Sequence, residues 1–393
     1  MSLLVISPDY ASHYGPLSVL AGEARTDGGR VVVATGRSLR ARVEADGFEW
    51  RPLRLGAGSN SGVEADGPGI QHFIDATRAG PAVVTSAPYW TDAVLVDHVS
   101  FGSTLAAMHA TGRPYVTLVP GHPSQVPVGS ERYGIPAHWP SCLAPEPLEL
   151  DELELLVDRV TNAFTDRWND ALRVVAPRRQ PVDDAFRVHG RRVLFNSVAG
   201  LQLAARNELL PNDHRFVGPL VRAEELPDAL GSWLDRTDER PYVYVALGTF
   251  LSHRADVLAR IAGALRHLGA RAAIAVGATA AHELGLIPDD WIVAPTLPQV
   301  AMLRGADLAM HHGGHNSVQE SLAAGVRQLV LPMSTDQFAN AADLERAGAA
   351  AIAPPNDATG ADLAAMIAAL LVVEPPSPVA ASGRRLLHAA SFA

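Results

Sequence analysis

The densest group of chemistry-bearing residues is His311-His312-Gly313-Gly314-His315-Asn316-Ser317-Val318-Gln319-Glu320, which follows a short apolar run and opens a helical pattern. Consecutive glycines let backbone N–H groups turn toward a ligand, and a helix N-terminus carries partial positive charge. The stretch therefore suits a phosphate or diphosphate. A structural reading of the same residues stands beside it: Ser317 and Glu320 have the spacing of a capping box, and Asn316 suits a turn. The three histidines do not point to a metal, because adjacent His side chains diverge and no cluster of carboxylates or thiolates accompanies them.

Four further places carry polar groups where an apolar strand pattern ends. Leu247-Gly248-Thr249-Phe250 offers the Thr249 hydroxyl. Thr335-Asp336-Gln337 offers an acid and an amide, a pair suited to a polyol, although Asp336 also fits as the cap of a helix Gln337–Arg346. In the first half, His13 follows the first strand, and Asp97 ends another strand. Open α/β sheets present ligands and catalytic groups at the carboxyl ends of their strands. A carboxylate placed like Asp97 would orient His13 and stabilise its imidazolium, as the acid of a catalytic triad does.

These residues need a scaffold of alternating strands and helices. Leu3–Ser7, Arg30–Ala34, Ala82–Thr85, Ala93–Asp97, Tyr115–Val119 and Val193–Asn196 read as short buried strands. Leu17, Leu20 and Ala24 mark a helix, as do Ser103–Thr111 and Leu148–Ala176. After a polar stretch the alternation restarts with strands Tyr242–Leu247, Ala272–Val276, Trp291–Ala294, Leu308–Met310 and Gln328–Leu331, and a helix Ala255–Leu268. Continuous apolar strands between helices predict parallel sheets covered on both faces. The expected division is a first domain over 1–220, a linker over 221–240, a second domain over 241–374 and a tail or helix over 375–393 packing back toward the first domain. Two stretches break the pattern: Gly56–Gly69 is Gly-rich, and Pro120–Pro147 is too rich in proline to be one regular element. Such loops are functional or mobile insertions.

Composition narrows the function classes. The chain has 393 residues, 48% of them apolar, enough for two cores. Its formal net charge of −10 is opposite to a nucleic-acid-binding footprint. All 32 basic residues are Arg, which excludes a Schiff-base Lys and the Lys of a Walker loop. Arg without Lys, with abundant Ala, Gly and Pro, matches the codon bias of a GC-rich bacterium. Cys142 is the single cysteine, so no internal disulfide and no multi-Cys metal site can form. The longest apolar run, Ala364–Val373, is too short to span a bilayer, and the N-terminus lacks a signal-peptide pattern, so a cytoplasmic protein is expected.

Leu297-Pro298-Gln299 through His312-Gly313-Gly314-His315-Asn316-Ser317, with Glu320, Pro332 and Asp336-Gln337, resembles the donor-binding signature of the family 1 (UDP-glycosyltransferase-like) glycosyltransferases, and the bacterial, antibiotic-decorating members more than the plant ones. Phe216-Val217-Gly218-Pro219 resembles the stretch before that family's interdomain linker. His13 and Asp97 fall where the family keeps its catalytic histidine and acidic partner.

The resemblance implies a GT-B fold, two facing Rossmann-like domains with parallel sheets and a deep cleft between them. It implies an inverting, metal-independent transfer of a hexose from a UDP- or dTDP-sugar to a hydroxyl of a small natural-product acceptor, with no resident cofactor. His13 would be the general base, assisted by Asp97. His312 and the Gly313, Gly314, Asn316 and Ser317 backbone would hold the diphosphate, with Thr249 assisting. Glu320 would bind the ribose, Asp336 and Gln337 the sugar hydroxyls, and Gln299 belongs to the segment lining the nucleoside. Tyr89, Trp90, Tyr133 and Trp139 are candidates for the acceptor pocket, and each is equally suited to packing. No nucleic-acid or membrane partner is expected, and a homodimer is left open. The chain departs from plant members at Thr296, His315 and Arg327, where they carry Trp, Trp and Pro, and in a shorter Gln299–His312 separation. These departures leave the choice between UDP and dTDP open. A nucleotide-sugar epimerase of the same fold and a non-catalytic nucleotide-sugar-binding helper are the alternatives. A nicotinamide dehydrogenase is disfavoured, because no Gly-x-Gly-x-x-Gly follows the first strand.

Overall fold

The computed structural model describes residues 2–26, 28–52, 93–97, 112, 114–236, 238–248, 254–334 and 336–380. The expected strand Ala82–Thr85, the helix Ser103–Thr111 and the stretch Gly56–Gly69 lie outside these residues. The described chain forms two compact units, one from residues up to 135 with 147–220, the other from 136–146 with 221–380.

In the first unit, β1 (Ser2–Ile6), β2 (Arg30–Thr35), β3 (Glu49–Pro52), β4 (Ala93–Asp97), β5 (Val116–Val119), β6 (Arg192–Phe195) and β7 (His214–Phe216) form a sheet in the order β3-β2-β1-β4-β5-β6-β7. Every pairing in it is parallel. Its helices are α1 (Ala11–Thr26), α2 (Arg40–Ala45), α3 (Pro147–Val175) and α4 (Ala204–Leu209). Successive strand residues face opposite sides of a sheet, and both sides are apolar here. Leu3 and Val5 pack with Leu17, Leu20 and Ala24 of α1, whereas Leu4 and Ile6 pack with Phe164, Trp168 and Leu172 of α3.

The second unit repeats the plan. β8 (Tyr242–Ala246), β9 (Arg271–Ala275), β10 (Ile292–Ala294), β11 (Leu308–His311), β12 (Arg327–Val330) and β13 (Ala350–Ile352) form a parallel sheet in the order β10-β9-β8-β11-β12-β13. The helices are α5 (Asp228–Leu234), α6 (Ala255–His267), α7 (Gln299–Leu303), α8 (His315–Ala324), α9 (Asp336–Arg346) and α10 (Gly360–Leu371). Val243, Val245 and Met310 pack with Ile261 of α6 and Ile367 of α10 on one face, and Tyr242, Tyr244 and Ala309 with Trp233 and Met302 on the other.

In each sheet the strand order reverses between two adjacent strands, β1 and β4 in the first and β8 and β11 in the second. Open α/β sheets bind ligands in the crevice at the carboxyl ends of the strands at such a reversal.

Three strands were not anticipated: β3, β7 and β13. Among the described residues all are sheet edges, where one side lacks a partner strand and a continuous apolar run is not required. The proline-rich stretch is ordered by its surroundings. Arg206 donates through Nε to the Glu131 carboxylate at 2.9 Å and through Nη2 to the carbonyls of Pro123 and Val126, each at 2.9 Å. Arg187 donates to the carbonyls of Pro127 and Glu131 at 3.0 and 2.8 Å. The following segment, Pro136–Glu146, lies within the expected first domain but groups with the second unit. Ser141 donates to Glu345 of α9 through its N–H at 2.8 Å and its Oγ at 2.6 Å, and Trp139 packs on Phe338. Of the expected terminal tail or helix, residues 375–380 are an irregular tail, and the Val379 N–H donates to the Leu322 carbonyl at 2.9 Å. Residues 381–393 lie outside the described ones. No helix among the described residues is long and apolar enough to cross a membrane.

Candidate active site

The first crevice holds a histidine–carboxylate pair. Asp97 is the last residue of β4 and is fully buried, while His13 sits in the first turn of α1, after β1. His13 Nδ1 lies 3.1 and 3.2 Å from the two Asp97 carboxylate oxygens. A carboxylate only accepts, so the shared proton belongs on Nδ1, which leaves Nε2 with its lone pair outward from the pair. The turn before His13 is anchored by Asp9, whose carboxylate accepts from Ser38 Oγ at 2.6 Å and the Leu39 N–H at 3.3 Å. Sequence reasoning passed over Asp9, an acid in a loop, because its partners are 29 and 30 residues away.

The second crevice holds His312, directly after β11. A Cβ added to Gly248 would lie 2.6 Å from the imidazole, and one added to Gly314 would lie 2.4 Å from it. The ring is thus seated between two glycine backbones, a space that only glycine leaves open. Gly248 also has φ +77°, a conformation unfavourable to other residues. Burial pushes the His312 pKa down, while the Asp336 carboxylate and the Ala246 carbonyl pull it up. Its Nδ1 is buried and makes no hydrogen bond to the described protein groups. Helix α8 begins at His315 with Gly314 as its N-cap and no side-chain cap bond. The capping-box reading of Ser317 and Glu320 is therefore corrected: the helix starts three residues earlier than that box requires. Glu320 instead accepts from Gln299 Nε2, which also donates to Ser317 Oγ at 3.2 Å. Gln299, Ser317 and Glu320 form one polar cluster linking α7 to α8. Asn316 lies in the first turn of α8.

Asp336 opens α9 rather than capping it from outside. Gln337 is buried, and its amide closes its own loop: Oε1 accepts from the Met333 N–H at 2.9 Å and Nε2 donates to Ser334 Oγ at 3.1 Å. Tyr133 stacks on Phe186 at 4.0 Å, a packing contact in the core of the first unit. Trp139 packs on Phe338 in the second unit, at 5.2 Å. Thr249, Tyr89 and Trp90 lie outside the described residues. Among the described residues no group of three or more His, Cys, Asp or Glu is arranged to hold a metal ion.

Residues 259–389 match the family described as Erythromycin biosynthesis protein CIII-like, C-terminal domain. The oleandomycin glycosyltransferase of Streptomyces antibioticus is 32% identical over 196 residues, 49% of this chain and 44% of that one. The matches span between 31% and 44% of the length of the curated relatives. Among solved structures, the glycotransferase of kitacinnamycin superposes with a TM-score of 0.73 at 22% identity, covering 95% of this chain and 91% of that one. The glycosyltransferase VinC in complex with dTDP gives 0.64 at 19% identity, covering 95% and 91%. The chain thus has the GT-B fold, its residues 259–389 carry an EryCIII-like C-terminal domain, and glycosyltransferases of antibiotic pathways are among its relatives.

Proposed function

We propose that the protein is an inverting, metal-independent glycosyltransferase that moves a hexose from a UDP- or dTDP-sugar to a hydroxyl of a small natural-product acceptor. The observation that carries this reading is the pair of crevices: a His13–Asp97 pair at the strand reversal of one sheet, and a glycine-seated His312 before a helix N-terminus at that of the other. The dTDP complex of VinC supports a nucleoside diphosphate as the donor's leaving portion.

In this reading the acceptor oxygen attacks the anomeric carbon from the face opposite the diphosphate. As that C–O bond forms, His13 Nε2 takes the hydroxyl proton, and Asp97 stabilises the resulting imidazolium. The bond from the anomeric carbon to the diphosphate oxygen breaks, and the electron pair leaves on the nucleoside diphosphate. His312 and the N–H groups at the start of α8 meet that developing charge. Thr249 and the Asn316 and Ser317 backbone assist there, Glu320 with Gln299 binds the nucleoside, and Asp336 and Gln337 serve the sugar.

Calorimetric titration of the purified protein with UDP, dTDP and NAD, without added metal, tests the donor assignment. Micromolar binding of one nucleoside diphosphate is expected. Absence of binding by both overturns the reading, and binding of NAD alone replaces it with a dehydrogenase.

A further inference from the structure

Gly313 is held at both ends of its backbone by buried side chains. Its N–H donates to His311 Nδ1 at 3.1 Å. Nδ1 accepts there, so the His311 proton sits on Nε2, which donates to Gln328 Oε1 at 2.9 Å. Its carbonyl accepts from Asn340 Nδ2 at 2.9 Å. Asn340 Oδ1 in turn accepts from His315 Nδ1 at 2.8 Å, which fixes the orientation of the amide. His311, His315, Gln328 and Asn340 come from β11, α8, β12 and α9, and each is at most 5% exposed. Burying four polar side chains is costly unless their bonds are satisfied. Here two of them, His311 and Asn340, bond the same residue, and Gln328 and His315 hold those two in turn. Gly313 has φ +84° and immediately precedes the helix N-cap.

We propose that Asn340 is a positioning residue for diphosphate binding, acting with His311 to clamp Gly313 so that His312 and the N–H groups following Gly313 face the ligand. This rests on the donor site proposed above. It also narrows that site. The Gly313 N–H is committed to His311, so Gly313 contributes the shape of the turn, and the donors to the diphosphate begin at Gly314. Losing the Asn340 donor frees the Gly313 carbonyl, and the turn relaxes away from the geometry that aims those N–H groups.

The test measures dTDP and thymidine affinity (or UDP and uridine, whichever diphosphate the wild type prefers) for the wild type, Asn340→Ala and the isosteric Asn340→Asp, each well below its own melting midpoint. Thymidine is measured by competition. The quantity compared is the ratio of the two affinities within one variant, in which any change in folded fraction cancels. Both variants should lose about tenfold or more of dTDP affinity while thymidine affinity stays within about twofold. An unchanged ratio, whether both ligands keep their affinity or both weaken equally, overturns the clamp. A wild type that binds neither diphosphate overturns the donor site itself, and so separates the two failures.

Discussion

A fully buried carboxylate needs its charge compensated, and the His13 imidazole 3.1 Å from Asp97 contributes to this. The pair makes the first prediction. His13→Ala should lower transfer about a thousandfold or more while leaving nucleoside-diphosphate affinity within about twofold, and Asp97→Asn should lose a smaller factor by releasing the Nδ1–H orientation. Initial rates with a saturating donor, set beside calorimetric binding, check both; transfer undiminished in His13→Ala rejects the base. His311 gives a pH prediction. Burial, helped by the neighbouring His312, pushes its pKa down from 6.5 to about 3. The folded protein therefore holds this ring neutral while the unfolded chain takes up a proton below pH 6.5. The stability it confers is complete above that pH and drains as pH falls toward about 3, by up to about 1.4 kcal/mol per pH unit. Urea midpoints measured from pH 7 to pH 4 should fall more steeply for the wild type than for His311→Asn. At this scale, His312, Gln299, Ser317 and Glu320 were legible because they are near one another in sequence or carry the family spacing. Asn340 was not: a lone amide among Ala339, Ala341 and Ala342 has no sequence pattern, and its partner is a backbone carbonyl 27 residues away.

Among the elements, the stretch from Pro120 shows what composition can and cannot say. Its prolines rule out a regular helix or strand, and among the described residues it holds only short 3₁₀ turns, at Pro123–Gln125 and Ser141–Leu143. Its order comes from outside, from Arg206 of α4 and from Arg187, which spend their guanidinium groups on its carbonyls. Arg206→Ala should strand Glu131 and two buried carbonyls and cost about 2–3 kcal/mol. Arg206→Lys should recover only part of this, because an ammonium cannot reproduce the planar fork. Denaturant midpoints, with limited proteolysis mapped over 120–135, check this; unchanged midpoints would mean that the loop is held by other contacts. The start of α8 teaches the converse lesson. Capping-box spacing was present, yet the two glycines and the seat of His312 set the helix start at His315.

At the scale of the whole molecule, two sheets with the same pattern of strand reversal each carry a polar cluster at the reversal. The division of labour proposed for them assigns proton transfer to the first unit and leaving-group stabilisation to the second. Because His312 and helix N–H groups supply the positive potential in this scheme, turnover should be unchanged, within about 20%, after exhaustive treatment with EDTA. A loss restored by Mg²⁺ or Mn²⁺ would place a cation at the diphosphate and displace that role of His312. The segment Pro136–Glu146 adds a feature of chain path: it leaves the first unit, joins α9 through Ser141 and Trp139, and the chain returns as α3.

The sequence by itself determined the class of fold, since continuous apolar strands separated by helices bury both faces only in parallel sheets. It also singled out the glycine-rich loop proposed to hold the diphosphate, because the residues that suggest that role are neighbours in the chain. The meeting of His13 with Asp97, 84 residues apart, was already expected from their places at strand ends and from the family resemblance. Tertiary structure alone decided which strands adjoin. It decided the clamp on Gly313, the ordering of the proline-rich loop by Arg206, and the grouping of Trp139 with the second unit. The physical reason is common to all of these. Periodicity reports which side of an element is buried, whereas a hydrogen bond between distant residues depends on the packing of whole elements, which leaves no local trace in the chain.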